Sequence, residues 1–229
     1  MPKKTLSVIG VALLLFILQS CVSKPEEGLL KRYFHAMSLN DVTTMSTIAL
    51  EPVAMEATGW KIVNVGEEKV QTAILPELDK MEKENKRKLE EHVGPTMDAD
   101  DGLYEAKERL KAARTRAARR AAQKAVDEAQ VIFDEEREIH RQLQKAYNDT
   151  KAAAAREEEI SGFSLGAGDV PNIRSMQGEV QSKEVEIKIE TESGEKNYNF
   201  WLRQYSLKDE TLDRTYRGRW VIIVIEPLS

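Results

Sequence analysis

The pattern of hydrophobic and polar positions divides the chain into a compact body and a long helical insertion. Between Leu29 and Leu39 the apolar residues recur every three or four positions, which predicts an amphipathic helix. Asn40-Asp41 then offers an N-cap for a second, shorter helix. The body is therefore predicted to open with two helices.

Strict alternation of apolar and polar residues predicts strands in later parts of the body. One strand runs from Trp60 to Val65, and a hairpin follows at 184–202 with Ser193-Gly194 as its turn. The last run, 220–225, is apolar at every position and predicts a central strand with both faces covered. Together these elements predict an α+β fold, in which the N-terminal helices pack on a small antiparallel sheet of about four strands.

Residues 67–161 are dominated by strong helix formers such as Ala, Glu, Lys, Arg and Leu, which predicts an inserted α-helical hairpin or coiled coil. Gly94-Pro95 is predicted to end a first helix, and Asp98–Asp101 to cap a second helix that continues to Ile160. At about 1.5 Å per residue the second helix would measure about 90 Å and the first about 40 Å. The excess length then requires a bend, a partner, or packing against the body. A glycine-rich loop is predicted at 162–178.

The predicted contact stripe of this arm is thin. Alanine lets helices approach closely but buries little apolar area, so we expect the arm to be weakly held. In the second helix Glu157 interrupts the stripe. The stripe consists of Leu103, Ala106, Leu110, Ala113 and Ala117, and further on of Ile139, Leu143, Ala146, Thr150, Ala153 and Ile160.

The first 20 residues have the organisation of a secretion signal. Lys3-Lys4 precedes an apolar run that ends at Leu18 and is too short to cross a hydrocarbon core of about 30 Å. Leu18-Gln19-Ser20-Cys21 resembles the bacterial lipobox, in which the cysteine is acylated and the preceding peptide is removed. The resemblance implies a signal peptide at 1–20 and a lipidated tether at 21–28.

Cys21 is the single cysteine of the chain, so its acylation would leave no thiol for a disulfide. Several acyl chains anchor a protein stably where one binds only marginally. The resemblance implies an exported, membrane-anchored lipoprotein. Val22 after the cysteine implies the outer membrane, facing the periplasm, in a Gram-negative cell. The alternative is an ordinary cleaved signal with a chance cysteine nearby.

The order of the body elements resembles the nuclear-transport-factor-two-like, or cystatin-like cone, fold. Small bacterial lipoproteins of that superfamily open with a helix like 29–37 and finish with a strand like 218–222. The resemblance covers 26–66 and 179–229, and it implies a cone-shaped body that can hold a small ligand. The pocket it implies would be lined by Tyr33, His35 and Trp60. The insertion between the two matching segments departs from the pattern.

Composition and motifs exclude several function classes. Removing Lys3-Lys4 with the signal takes the formal charge from −5 to −7, and an acidic exported protein is a poor candidate for nucleic-acid binding. No motif places a second catalytic group beside His35, which predicts a partly buried helix histidine and no enzyme. His92 and His140 have no ligand spacing and are predicted to be solvated. We therefore expect no metal site and no cofactor.

The arm carries an unusual distribution of charge. Residues 107–124 hold eight basic residues against one acid, and 127–138 hold six acids against one arginine. The basic block could bind anionic lipid headgroups, lipopolysaccharide or an acidic partner. The alternative is a solvated face offset by the acid-rich first helix. The candidate interaction patch comprises Lys111, Arg114, Arg116, Arg119, Arg120 and Lys124.

These observations predict a lipid-anchored cell-envelope protein of non-enzymatic type. The arm, 67–160, would mediate protein–protein interaction or self-association. Two alternatives are a periplasmic holdase-type chaperone with helical arms and a small-ligand-binding protein of the cone fold. A pocket much smaller than the ~300 Å³ of an ordinary ligand site would exclude the latter. An efflux-adaptor hairpin is disfavoured because no paired half-motifs flank the arm.

Overall fold

The computed structural model describes residues 24–166 and 170–228. The body opens with helix α1, Pro25–Ser38, and helix α2, Val42–Ser46, which confirms the predicted helix pair. The predicted tether 21–28 is wrong at its end, because 25–28 already belong to α1. Asp41 caps α2, since its Oδ1 accepts a 3.0 Å hydrogen bond from the backbone N–H of Thr44. The lipobox and Cys21 lie outside the described residues.

A long antiparallel hairpin forms the centre of the sheet. Its two strands are β3, Gln177–Thr191, and β4, Gly194–Asp209, and they pair without interruption from Gln177–Lys208 to Thr191–Gly194. Glu192 and Ser193 form the turn, one residue before the predicted turn at Ser193-Gly194. The predicted α+β class is confirmed.

Each long strand is flanked by two short strands that pair with it one after the other. The short strands are β1, Gly59–Val65, and β2, Lys69–Thr72, beside β3, and β5, Arg214–Arg217, and β6, Val221–Pro227, beside β4. Within the described ranges the sheet thus has six strands arranged in four columns, where about four strands were predicted.

Strand β6 lies in an outer column, so the prediction of a central strand is wrong. One edge of β6 pairs with β4. On its other edge Ile222 forms a single parallel β-bridge with Ala49, in the segment that follows α2. The run 220–225 is apolar at every position because both faces of the strand are covered by hydrophobic clusters. Ile222 packs in one hydrophobic cluster, and Val221 and Ile223 pack in another.

The two hydrophobic clusters lie on opposite faces of the sheet. Val185 pairs with Phe200 in the first cluster, whereas Val180 pairs with Tyr205 in the second. Because side chains alternate between the faces of a strand, the five-residue offset places the two pairs on different faces. The first face is covered by α1 and α2, and the second by the root of the arm.

The arm is a helical hairpin of three segments. They are α3, Leu75–Glu91, α4, Val93–Ala112, and α5, Arg116–Leu165. Helices α3 and α4 form one leg interrupted at His92, and α5 contacts both of them. At about 1.5 Å per residue the legs measure about 57 Å and about 75 Å. The large length mismatch expected from the sequence is therefore absent, and the extra turns of α5 pack on the sheet.

Gly94-Pro95 does not end the first leg, contrary to prediction. Both residues stand in the first turn of α4, where backbone N–H groups have no acceptor within the helix. A proline there removes no hydrogen bond, so the helix continues, and Asp98–Asp101 lie inside it. The leg ends at Ala113, and Thr115 caps α5 by accepting a 3.2 Å hydrogen bond from the N–H of Ala118.

The predicted limits of the arm, 67–161, are wrong at both ends. Residues 69–72 form strand β2, because they pair with β3 at 179–182. Helix α5 continues to Leu165 and ends where Gly166 adopts the left-handed conformation with φ 71°. The predicted loop 162–178 consequently contains the end of α5, the 3-10 helix Ile173–Ser175 and the start of β3.

Candidate functional site

The turn between α4 and α5 gathers four arginines at the end of the arm. Arg114, Arg116, Arg119 and Arg120 line a depression of about 560 Å³ together with Leu110 and Gln123. Arg119 donates through Nε to the carbonyl oxygen of Ala113 at 3.1 Å. In the part of the chain that the structure describes, none of the four forms an ion pair. We call these four arginines the basic tip.

The other two members of the predicted patch have their charge offset locally. Lys111 is bonded to Glu108 at 2.5 Å, and this hydrogen bond raises the pKa of Lys111. Lys124 lies 3.4 Å from Glu128 one turn further along α5. The structure therefore brings the predicted patch together but divides it into four uncompensated arginines and two paired lysines.

The placement of the basic tip runs against the preference of a helix. The N-terminus of a helix carries a partial positive charge, which favours acidic residues in the first turn. The first turn of α5 contains no acidic residue and begins with Arg116. Arg116 has no compensating ion pair among the described residues, and a local rule broken in this way is expected where a residue serves a function. The basic tip is thus the best candidate for an interaction surface.

The interior of the arm is polar at mid-length, where two of the three histidines meet. His92 Nε2 lies 2.9 Å from Oε2 of Glu136, and His92 Nδ1 lies 3.1 Å from the hydroxyl of Thr96. The rings of His92 and His140 are 6.0 Å apart. The prediction that both histidines are solvated is wrong, because they lie between the two legs.

The predicted contact stripe of α5 is partly out of register. Ile139 is 42% exposed and Ala153 is also exposed, while His140 and Ala154 take the inner positions. The sequence pattern counted apolar residues and therefore preferred Ile139 to its histidine neighbour. On α4 the predicted positions Leu103 and Ala106 are buried, which confirms that part of the stripe.

The root of the arm is joined to the sheet by a buried polar cluster. Glu157 of α5 is 6% exposed and accepts hydrogen bonds from the hydroxyl of Tyr205 and from Nη1 of Arg203. Burial and the nearby Glu157 carboxylate raise the pKa of Tyr205. In the sequence pattern Glu157 is an interruption of the stripe. Its partners Tyr205 and Arg203 lie on strand β4, far away in the chain, so the sequence pattern could not reveal these contacts.

His35 and Trp60 line an open cleft of about 680 Å³ at the end of α1. The rings of Phe34 and Trp60 stack there with centroids 4.6 Å apart. Tyr33 is not part of the cleft, contrary to prediction. It is fully buried in the core, and its hydroxyl bonds to the backbone of Val53 at 3.0 Å. Two of the three predicted pocket residues are therefore together.

The described residues contain neither a metal-binding cluster nor a membrane-spanning helix. No group of three His, Cys, Asp or Glu side chains within 24–166 and 170–228 is placed to hold a metal ion. Among the helices in those ranges, none combines the length and apolar character needed to cross a membrane. No protein-family model, curated protein or solved structure matches the chain, so its resemblances to lipobox lipoproteins and to the cone fold stay predictions.

Proposed function

We propose that the protein is a non-enzymatic, lipid-anchored component of the cell envelope whose arm engages a protein partner through the basic tip. The observation that carries the proposal is the set of four uncompensated arginines at the turn of the hairpin. Many cations elsewhere on the arm have a carboxylate one turn away, such as Arg87 with Glu91 and Arg109 with Glu105. The basic tip is therefore the place on the described arm where several cations without an ion pair lie together.

Anchoring through Cys21 would give this arm a defined reach. Helix α1 begins at Pro25, four residues after Cys21, and four residues span at most about 14 Å when extended. An acylated Cys21 would thus keep the body next to the bilayer. The leg from Leu75 to Ala112 is about 57 Å long, so the arm and not the tether would supply the reach.

Two experiments test the proposal. Fractionation of cells expressing the Cys21→Ser variant should find the protein in the soluble fraction, and a variant that stays on the membrane would contradict the anchor. A photo-crosslinking residue in place of Arg116 or Arg120 should capture a protein in whole cells. The matched control replaces Lys145, an exposed cation on the same helix. Equal capture from both positions would contradict a role for the basic tip.

Ligand binding in the cleft is a second candidate function, favoured by the volume of that cleft. Ordinary ligand sites measure roughly 300–1,000 Å³, and this one measures about 680 Å³ with a Phe34–Trp60 stack on its wall. Lys31, Glu56 and Glu192 add charged groups to its lining. Quenching of Trp60 fluorescence by a small-molecule library, with Trp60→Phe as the control, would test it.

The holdase alternative has less support. Large apolar residues exposed on the arm include Met97, Tyr104 and Val131, but acidic residues such as Asp98 and Asp127 lie among them. A chaperone of that type needs a contiguous apolar surface for its clients. If the intact protein suppressed the aggregation of an unfolded client protein, that result would support the holdase alternative.

A further inference from the structure

One exposed face of α5 changes the sign of its charge along the helix. Positions spaced by three and four place a single row of residues on the side away from α3 and α4. The row is basic up to Lys124 and acidic from Asp127 onward. The residues of this row, which we call the outer stripe, are Arg116, Arg120, Lys124, Asp127, Val131 and Glu135.

We infer that the arm binds the arm of a second copy of this chain in antiparallel orientation, outer stripe against outer stripe. A surface that runs from basic to acidic becomes its own complement when a two-fold axis reverses it. The basic tip of each copy then lies beside the acidic part of the other. This inference rests on the proposed function and names the partner.

The two-fold axis would cross α5 between Lys124 and Asp127. Counting outward from that point, Arg116 of each copy reaches the level of Glu135 in the other, and Arg120 reaches the level of Val131. Arg116 and Glu135 form no ion pair with any residue in 24–166 or 170–228, so their charges are free to pair with each other between copies. Val131 is 56% exposed and adds apolar area between the charged positions.

The acidic zone extends around the arm onto α4. His92 contacts Glu136 across the hairpin, and the legs are antiparallel, so Asp98–Asp101 lie roughly level with the segment of α5 that follows Asp127. Asp98, Asp100 and Asp101 also lack ion pairs within the described ranges. An anionic lipid surface would use the basic tip alone. A second copy uses both the basic and the acidic halves, which is why we favour it.

Association of this kind is expected to be weak and sensitive to salt. Ion pairs between exposed side chains contribute little individually, and salt screens them. Weak pairing suffices when both partners are held on one membrane, because anchoring raises their effective concentration. In solution the dimer should therefore dissociate on dilution.

Sedimentation equilibrium of the chain from residue 21 onward, with Cys21→Ser, tests the inference, since this form keeps every described residue. We expect a reversible dimer whose dissociation constant rises at least about tenfold between about 50 mM and about 500 mM NaCl. Arg116→Glu/Arg120→Glu and Asp127→Lys/Glu135→Lys should each be monomeric. An equimolar mixture of the two variants should restore the dimer, because position 116 of one variant and position 135 of the other then carry opposite charges again.

The control is Lys107→Glu/Arg137→Glu, which makes the same change in net charge as the arginine double variant at exposed positions outside the outer stripe. It should dimerise like the parent, and circular dichroism should show all variants folded. A parent that is monomeric throughout, a dimer that survives either double variant, or a mixture that stays monomeric would overturn the inference. Sedimentation of a monomeric parent with vesicles containing anionic lipid would assign the tip to a lipid surface instead.

Failure of this inference would not by itself remove the proposed function. In that case crosslinking from Arg116 or Arg120 in cells would capture a different protein, while the soluble chain stayed monomeric. The proposed function fails separately, when the tip captures no protein at all.

Discussion

The hydroxyl of Tyr205 on strand β4 donates a 2.7 Å hydrogen bond to Oε1 of Glu157 on helix α5. Arg203 donates to the other carboxylate oxygen at 3.1 Å, so both oxygens of this 6% exposed side chain are engaged by the sheet. A buried carboxylate is costly unless it is paired and hydrogen-bonded. The contact therefore fixes the root of the arm to the body at a defined position.

Tyr205→Phe should destabilise the protein by about 1–3 kcal/mol, because it leaves one oxygen of the buried Glu157 carboxylate without a donor. Urea unfolding followed by circular dichroism measures the change. The matched control is Tyr104→Phe, whose ring is 65% exposed on the arm. The control should stay within about 0.5 kcal/mol of the parent. Equal effects at the two positions would contradict the role of the Tyr205–Glu157 contact.

Stability should fall at alkaline pH. Burial raises the pKa of Tyr33, and burial together with the Glu157 carboxylate raises the pKa of Tyr205. Their stabilising effect is fully present below the tyrosine pKa of the unfolded chain, about 10, and declines as the pH rises above it. The reason is that the unfolded chain then releases protons that the folded chain retains.

Urea unfolding at a series of alkaline pH values measures this decline, and ultraviolet absorbance follows the phenolates. Tyr205→Phe should show a shallower loss of stability above about pH 10 than the parent. An equally steep loss in the variant would show that Tyr205 does not contribute to it.

Two glycines near the root of the arm should respond to alanine in opposite ways. A Cβ at Gly218 would lie 2.9 Å from the backbone carbonyl carbon and oxygen of Ser164, closer than real Cβ atoms approach. Gly218→Ala should therefore destabilise the joint between α5 and β6. Gly162 lies inside α5, and a methyl group added there would meet no atom within 4 Å beyond its chain neighbours and the backbone of its own helix. Gly162→Ala should therefore stabilise the helix by up to about 1 kcal/mol.

Thermal unfolding of both alanine variants gives the comparison, with the parent as reference. The Tm should fall for Gly218→Ala and rise for Gly162→Ala. A Tm that is unchanged at Gly218 would mean that Ser164 and its hydrogen bonds to Tyr205 and Arg219 can shift at little cost.

The body could be predicted from the sequence because its signals are local. Alternation at 184–190 and the turn signal at Ser193-Gly194, one residue from the observed turn, indicate the hairpin without reference to the rest of the chain. The Asp41 cap is likewise a contact between residues three positions apart. The sequence did not predict that the second face of the sheet is covered, because the residues that cover it come from the end of the arm.

The arm was harder to predict because its strongest sequence signal is misleading. Gly94-Pro95 is typical of a helix end, yet the true turn at 113–115 contains neither glycine nor proline. The position of that turn determines which residues of the two legs lie opposite each other. The sequence therefore could not show that His92 meets Glu136 and His140. The basic tip was found as a patch, but its location at the turn required the structure.

The two arm histidines should also differ in what they contribute. His140 Nδ1 is buried and has no hydrogen-bond partner among the described residues, so His140→Leu removes an unsatisfied group and should be neutral or stabilising. His92→Leu instead removes the polar partner of the Glu136 carboxylate, which lies 2.9 Å from His92 Nε2. This change should destabilise the protein by about 1–3 kcal/mol. Urea unfolding of both variants measures the difference. Because both changes replace an imidazole by the same aliphatic side chain, a general effect of hydrophobicity would shift both in one direction. Destabilisation by His140→Leu as large as that by His92→Leu would show that the His140 ring is held by a contact of its own.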